Sequence, residues 1–422
     1  MQIGVYGTGY LATVIAACLA DFGTPVMAFD EDSARLMALA QGNIPFYEHS
    51  LKDVVRRNLR NSRLSYCSKM EPFARRSHLI FFAADSTRYI EEVALRLARE
   101  AEPSTILVIA TPVPVGTATR IEARLKQAGL GMIVVSQPIF ITDGCAVEDF
   151  NWPDRIVLGA SSNHAVSMLK QIYRPLVMRG VPLIVTNHET AELVREASTA
   201  FVATKISFIN ELASLCEHVK ADAVDLALAL GLDKKIAPRC LQPGAGLGGQ
   251  FVEADMDSLA QLAAGNGISL RILGAAREVN QSYPERMLEK LTRMVEPVAG
   301  SEVGMLGLSF KPNTNSVASS SSMDLTRRLL ARGAHVRAYD PAALAEAKLE
   351  LNGTVRYCDS PYEAAEGVDA LIVSTGWPEF RALDFEKIKH LVRRPLIVDT
   401  KNLLDAVRLR DMGFQYVGVG RA

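Results

Sequence analysis

QIGVYGTGYLATVIAACLADFGTPVMAFD, residues 2–30, reads as strand, glycine turn, helix and strand. Gln2–Tyr6 is a short apolar run, and Leu11–Phe22 is an apolar helical run that stops at Gly23. Val26–Phe29 is a second apolar run, and it closes on Asp30. Between the first strand and the helix, Gly7-Thr8-Gly9-Tyr10-Leu11-Ala12 spells G-x-G-x-x-A, the dinucleotide fingerprint in the context it requires. In that motif Gly7 makes the tight turn, Gly9 lets a pyrophosphate approach the backbone, and Ala12 allows close helix-to-strand packing. Asp30, about 20 residues on, is suited to accept hydrogen bonds from ribose hydroxyls, which favours NAD over NADP. Gly7, Gly9, Tyr10, Leu11 and Asp30 are therefore the candidate cofactor-binding residues.

Working outward, apolar runs at Leu79–Ala83, Thr105–Ala110, Met132–Ser136 and Ile156–Gly159 extend the pattern as further parallel strands, with helical stretches between several of them. Strands alternating with helices specify a doubly wound α/β sheet. Thr111-Pro112-Val113-Pro114-Val115-Gly116-Thr117 follows a strand end, where such sheets bind ligands. From about Thr190 to Lys220 a 3.6-residue period sets in, long enough for a helix joining two domains. Lys205 and Asn210 are polar groups on it. Further helices are expected over Asp222–Leu230, Asp255–Ala264 and Ile272–Val295. A second α/β pattern begins at Ser301, with strands at Val303–Leu308, Val336–Tyr339, Ala370–Ser374 and Leu396–Asp399 and a helix over Met323–Arg332. The expected architecture is two Rossmann-like parallel-sheet domains joined by a long central helix and a helical region. Its boundaries are 1–187, 188–298 and 299–422.

Composition narrows the function classes. A chain of 422 residues needs more than one core. Its net charge of -1 argues against nucleic acid or an anionic membrane as principal partner. Six cysteines without CxxC spacing read as reduced, mostly buried thiols, and no metal-ligand spacing occurs. No charged and apolar leader precedes the first strand, and no apolar run reaches the ~20 residues needed to span a membrane. A cytoplasmic location is expected.

The remaining site is the glycine run Gly244–Asp255, GAGLGGQFVEAD, read as a loop of active-site shape whose centre, Gln250-Phe251-Val252, offers no nucleophile and no acid or base. With GTGYLATVIAACLADFG, IPFYE, TPVPVGT, PDRIVLG, IYRPL, TAELVREASTAFVATKISFINELASLCE, GLSFKPNT and AYDP, this run makes the chain resemble the UDP-glucose/GDP-mannose dehydrogenase family over its whole length. It is most similar to bacterial UDP-glucose 6-dehydrogenases. The resemblance implies an NAD-binding domain, a central helical dimerisation domain and a UDP-sugar-binding domain. It also implies oxidation of a sugar C6 alcohol to a carboxylate by two hydride transfers, through a cysteine-bound intermediate.

Carried onto this chain, the resemblance implies catalytic roles for Lys205, Asn210, Asp255 and Thr117, with Thr117 also at the cofactor. It implies sugar-nucleotide contacts from Lys205, Asn210, Gly246, Gly248, Gly249, Phe310 and Lys311. Four positions depart from the pattern. Phe251 stands at the nucleophilic cysteine's position and Ile139 at the catalytic glutamate's. Ala318 and Lys235 replace arginines. The segment Phe82-Ala83-Ala84-Asp85-Ser86-Thr87 lacks the family's GTP and is expected to run directly into a helix. Three functions are compatible with these residues. One is a UDP-glucose 6-dehydrogenase-like binder of nucleotide sugars with impaired or lost four-electron oxidation. Another is an NAD-dependent oxidoreductase limited to a single two-electron step. The last is a non-catalytic partner subunit, as a homodimer or as a heterodimer with an active homologue.

Overall fold

The computed structural model describes residues 1–244, 246, 248, 250–351 and 355–421, the side chains of Gln250 and Phe251 excepted. The chain divides into two compact units, Met1–Ala197 and Ser198–Ala422.

The first unit is built on an eight-stranded sheet of β1 (Ile3–Tyr6), β2 (Val26–Phe29), β3 (Leu64–Cys67), β4 (Leu79–Phe82), β5 (Ile106–Ile109), β6 (Ile133–Ser136), β7 (Ile156–Gly159) and β8 (Leu183–Thr186), in the order β3-β2-β1-β4-β5-β6-β7-β8. The central strands IGVY, VMAF, LIFF and ILVI are buried at every residue, as strands covered by helices on both faces must be. One expectation is corrected here: β7 is not parallel to its neighbour β6 but antiparallel, through the single pair Ser136↔Gly159. The 137–155 connection carries a loop and one short helix, Ala146–Asn151. Its Phe150 packs on Phe22, with ring centroids 6.0 Å apart. The edge strands β3 and β8 are partly exposed, and β3 carries only a broken apolar pattern.

The second unit holds a six-stranded, wholly parallel sheet of β9 (Glu302–Leu306), β10 (His335–Tyr339), β11 (Arg356–Tyr357), β12 (Ala370–Val373), β13 (Leu396–Asp399) and β14 (Gln415–Val417), in the order β11-β10-β9-β12-β13-β14. Both sheets therefore share the 3-2-1-4 core order, whose reversal point opens a crevice at the carboxyl ends of the strands. The long helix His188–Val219 covers the stretch expected to be helical. The helix Gln250–Gly265 starts five residues before the expected Asp255, so the second half of the glycine run is helix and not loop. Among the described residues no helix is long and apolar enough to cross a membrane.

Candidate functional site

The glycine turn of the first unit sits at the reversal point between β1 and β4. Gly7 has φ +113, and a Cβ there would come within 2.8 Å of the Ala83 carbonyl oxygen, so glycine is required twice over. Gly9 is the N-cap of the helix Tyr10–Asp21 and leaves that helix's first turn without an acidic side chain. Asp30, at the end of β2, accepts from the Thr8 hydroxyl at 2.5 Å and from the Asp32 amide at 3.0 Å, and it remains half-exposed. Tyr10 is turned elsewhere. Its hydroxyl donates to Glu48, which also accepts the Gly144 and Ala146 amides at 2.6 and 2.9 Å. Burial pushes the Glu48 carboxyl up, against the pull of those hydrogen bonds. Leu11 packs against the core.

Seven residues, Ala83 to Tyr89, separate β4 from the helix Ile90–Glu100, which corrects the expectation of a strand running straight into a helix. In this connection Asp85 lies against the bare Cα of Gly9 and pairs with Arg35 at 3.1 Å.

The proline-rich loop after β5 is fastened from the long helix. Glu192 is 6% exposed and accepts the Gly116 and Ala118 amides at 2.6 and 2.9 Å and the Ser136 hydroxyl at 3.1 Å. Thr117 is buried, donating to the Pro114 carbonyl at 2.5 Å and accepting from Arg120 at 2.9 Å. After β6, Gln137 donates to Tyr173 while its buried Oε1 has no partner among the described residues. Ile139 is 6% exposed and belongs to the main hydrophobic cluster, and its carbonyl accepts from Arg195 at 3.2 Å. Ile139, expected from the resemblance to stand at the glutamate's position, is thus a core side chain.

In the second unit, the glycine run packs beside the reversal point between β9 and β12. A Cβ on Gly248 would meet the Ser319 carbonyl oxygen at 2.5 Å and the Phe310 side chain at 3.7 Å, and one on Gly246 would meet Asn280 at 2.7 Å. Gly244 lies against Thr400 and Lys401. The Gly244 amide donates to Asn210 Oδ1 at 2.9 Å. Asn210 is 1% exposed, and its Nδ2 has no partner among the described residues, so one buried donor is left open beside the run. Lys311 lies over the Phe310 ring at 5.8 Å. Gly249 and the Phe251 side chain lie outside the described residues. Phe251 itself stands in the first turn of the helix Gln250–Gly265. Asn210 and Phe310 therefore both pack along the glycine run, at Gly244 and at Gly248.

Lys205 and Asp255 are not part of that group. The Lys205 ammonium donates to the Ile236 and Ala237 carbonyls, both at 2.8 Å, at a partly exposed position. Asp255 is buried and accepts from Thr199 at 2.8 Å. Thr199 stands four residues after Arg195 on the long helix, a spacing that puts the two on one helical face. Lys235 is exposed and Ala318 half-buried. Cys240 is exposed with φ +64, not a buried small hydrophobe, and all six cysteines are unpaired, three of them buried.

Sequence reasoning missed Thr199, Arg195, Glu192, Asp85 and Lys401. Thr199 and Arg195 were hidden inside an apparently packed helix. Glu192 gave no distinct signal either, since His188, Arg195, Glu196 and Thr199 share its helical face. Burial pushes the Lys401 ammonium down to about 8, while Asp399 pulls it up.

A dinucleotide fits the first crevice in its turn, in the glycine at position 9 and in the half-exposed Asp30, while Asp85 lies against Gly9. The first sheet, parallel except between β6 and β7, carries a dinucleotide turn at its reversal point, and the second is wholly parallel, so both units are Rossmann-like. Sequence comparison makes this specific. Profiles of the UDP-glucose/GDP-mannose dehydrogenase family match residues 1–177 (NAD binding domain), 189–282 (central domain) and 304–406 (UDP binding domain). The UDP-glucose 6-dehydrogenase TuaD of Bacillus subtilis is 35% identical over 433 residues, covering 100% of this chain and 93% of that protein. The UDP-glucose 6-dehydrogenase of Rhizobium meliloti is 34% identical, covering 100% of both. The solved UDP-glucose dehydrogenase of Pyrobaculum islandicum superposes with a TM-score of 0.90 at 31% identity, covering 100% of this chain and 98% of that one. The chain belongs to the UDP-glucose/GDP-mannose dehydrogenase family, of the UDP-glucose 6-dehydrogenase type, and carries its NAD-binding domain.

Proposed function

We propose that this protein binds a nucleotide sugar of the UDP-glucose kind, with NAD as cofactor, and has lost the four-electron oxidation of the sugar C6 alcohol. NAD, when bound, supplies a hydride acceptor. What the chain must add is a nucleophile to hold the aldehyde and a base for water, and here it departs from its relatives. The observation that carries the reading is Ile139, whose side chain is part of the hydrophobic core at the position of the glutamate, together with Phe251 at the position of the cysteine. A phenyl ring forms no thioester, and a buried isoleucine moves no proton. Removal of such groups costs orders of magnitude in rate.

Binding is supported separately. The open Nδ2 donor of Asn210, the close packing at Gly248 and the Lys311–Phe310 pair all lie along the glycine run. Thr117, Lys205 and Asp255 have intramolecular partners that take up their polar atoms, so their expected catalytic parts are assigned here to positioning. Domain limits of 1–187, 188–298 and 299–422 and a cytoplasmic location with free thiols complete the reading. The test is binding against turnover. Calorimetry with UDP-glucose is expected to give a measurable affinity while NADH absorbance stays flat. Oxidation of UDP-glucose at an ordinary turnover would refute it.

A self-associating form of the protein is favoured by one observation. Phe201, Phe208 and Leu215, spaced by seven residues along the long helix, are 70, 53 and 56% exposed. A seven-residue apolar stripe is the pattern of a helix that pairs with another. The reading is a dimer, as two copies or with a catalytically complete homologue. Light scattering of Phe208→Glu is expected to report a monomer, and an unchanged mass would refute it.

A further inference from the structure

We infer that Asp85 is the residue that sets this chain's affinity for a dinucleotide, because its carboxylate rests where a pyrophosphate would meet Gly9. The inference rests on the family's NAD-binding domain and is independent of the sugar chemistry proposed above.

The geometry is specific. A Cβ built on Gly9 would lie 1.7 Å from Asp85 Oδ1, 2.4 Å from its Cγ and 2.5 Å from Oδ2. The carboxylate therefore fills the volume that a side chain at position 9 would take. That volume is the reason for a glycine in this turn, since a phosphate needs it to reach the backbone. The helix that starts there has no acidic residue in its first turn, and Asp85 from the β4 connection is the anion placed at its positive end. A dinucleotide and Asp85 compete for the same space with charge of the same sign.

The arrangement is built to yield. Asp85 Oδ2 pairs with Arg35 at 3.1 Å, and Arg35 is also 3.8 Å from Asp32. The side chains of Arg35 and Asp85 are 37 and 61% exposed, and an ion pair in that much water contributes at most about 1 kcal/mol. The connection itself is anchored on either side of Asp85. Thr111 donates to the Ala84 carbonyl at 3.0 Å, and the Ile90 amide donates to the Thr87 carbonyl at 3.1 Å. Rotation of one side chain is enough to clear Gly9, and it leaves the Arg35 guanidinium available to the incoming phosphates. Asp85 thus weakens the binding of a pyrophosphate without preventing it.

Calorimetry tests this on the full-length chain with NADH, ADP-ribose and adenosine, comparing wild type with Asp85→Ser and Asp85→Asn. Asp85→Ser is expected to tighten NADH and ADP-ribose by about tenfold. Asp85→Asn, which keeps the bulk and removes the charge, is expected to fall between. Adenosine, which has no phosphate, is expected to bind all three alike, and thermal unfolding of the variants is expected to match wild type. Four outcomes overturn the inference. They are unchanged or weaker NADH binding by Asp85→Ser, equal tightening of adenosine, loss of folding in both variants, and absence of NADH binding in every protein.

Discussion

The two sheets put an aspartate at the same topological place and use it in opposite ways. Asp30, at the end of β2, accepts from Thr8 and Asp32 and stays half-exposed. Asp340, at the end of β10, is 2% exposed and saturated by its own protein. Its Oδ2 takes the Leu308 and Ser309 amides, the Ser309 hydroxyl and the Trp377 indole, and its Oδ1 takes the Ala342 and Ala343 amides. The turn after β1 passes straight into a helix through Gly9, whereas the turn after β9 opens into a long connection before the helix Ser321–Ala331. One topology therefore yields a ligand crevice with an available acid and a second crevice whose acid is a structural clamp. A strand ending in aspartate announces a ribose site only when its carboxylate has capacity left.

The sharpest way to break this comparison is to remove both acids in turn. Asp340→Ala orphans several buried donors at once, and a loss of about 3–5 kcal/mol in urea unfolding is expected. Asp30→Ala is expected to cost far less stability, and a similar loss there would erase the distinction. Next in size is Ile139→Glu, which places a carboxylate where the resemblance implies the glutamate. Because Ile139 is a core side chain, the new carboxylate is buried among apolar neighbours, and about 3 kcal/mol of stability is expected to be lost in the same assay. If the variant were as stable as wild type, Ile139 would not be the core residue described above.

Asp30→Ala is expected to weaken NADH binding in calorimetry by about tenfold, the value of one hydrogen-bonded charge, whereas Asp340→Asn is expected to leave it unchanged. The smallest effect concerns Lys401, beside Gly244. Its folded value of about 8 is below the ordinary 10.5, so between those values the unfolded chain keeps a proton that the folded chain has released. Stability contributed by this group therefore rises with pH across that window. Urea midpoints of wild type relative to Lys401→Met are expected to climb between pH 8 and 10, and parallel curves would remove Lys401 from the buried groups.

Much of the fold was legible because its signals are local. The strands IGVY, VMAF and LIFF are apolar on both faces, and the long helix keeps its 3.6 period for 32 residues. The edge strand β3 was not legible, since an edge needs no continuous apolar run, and the run LIVT of β8 was passed over although it was there to read. Nor was the reversed direction of β7, which depends on how a connection packs. The site was legible by residue type but not by partner. Sequence gives no sign that Lys205 is taken by two carbonyls, that Thr199 holds Asp255, or that Asp85 reaches Gly9 across 76 positions. Such pairings come from tertiary packing, so spacing along the chain does not carry them.

The central claim is binding without four-electron oxidation, and stoichiometry tests it directly. UDP-glucose and excess NAD are incubated with the purified protein while NADH is followed by absorbance and bound UDP-glucose by calorimetry. The account predicts bound UDP-glucose and no NADH above the enzyme-free control. Formation of two NADH per UDP-glucose consumed would contradict it.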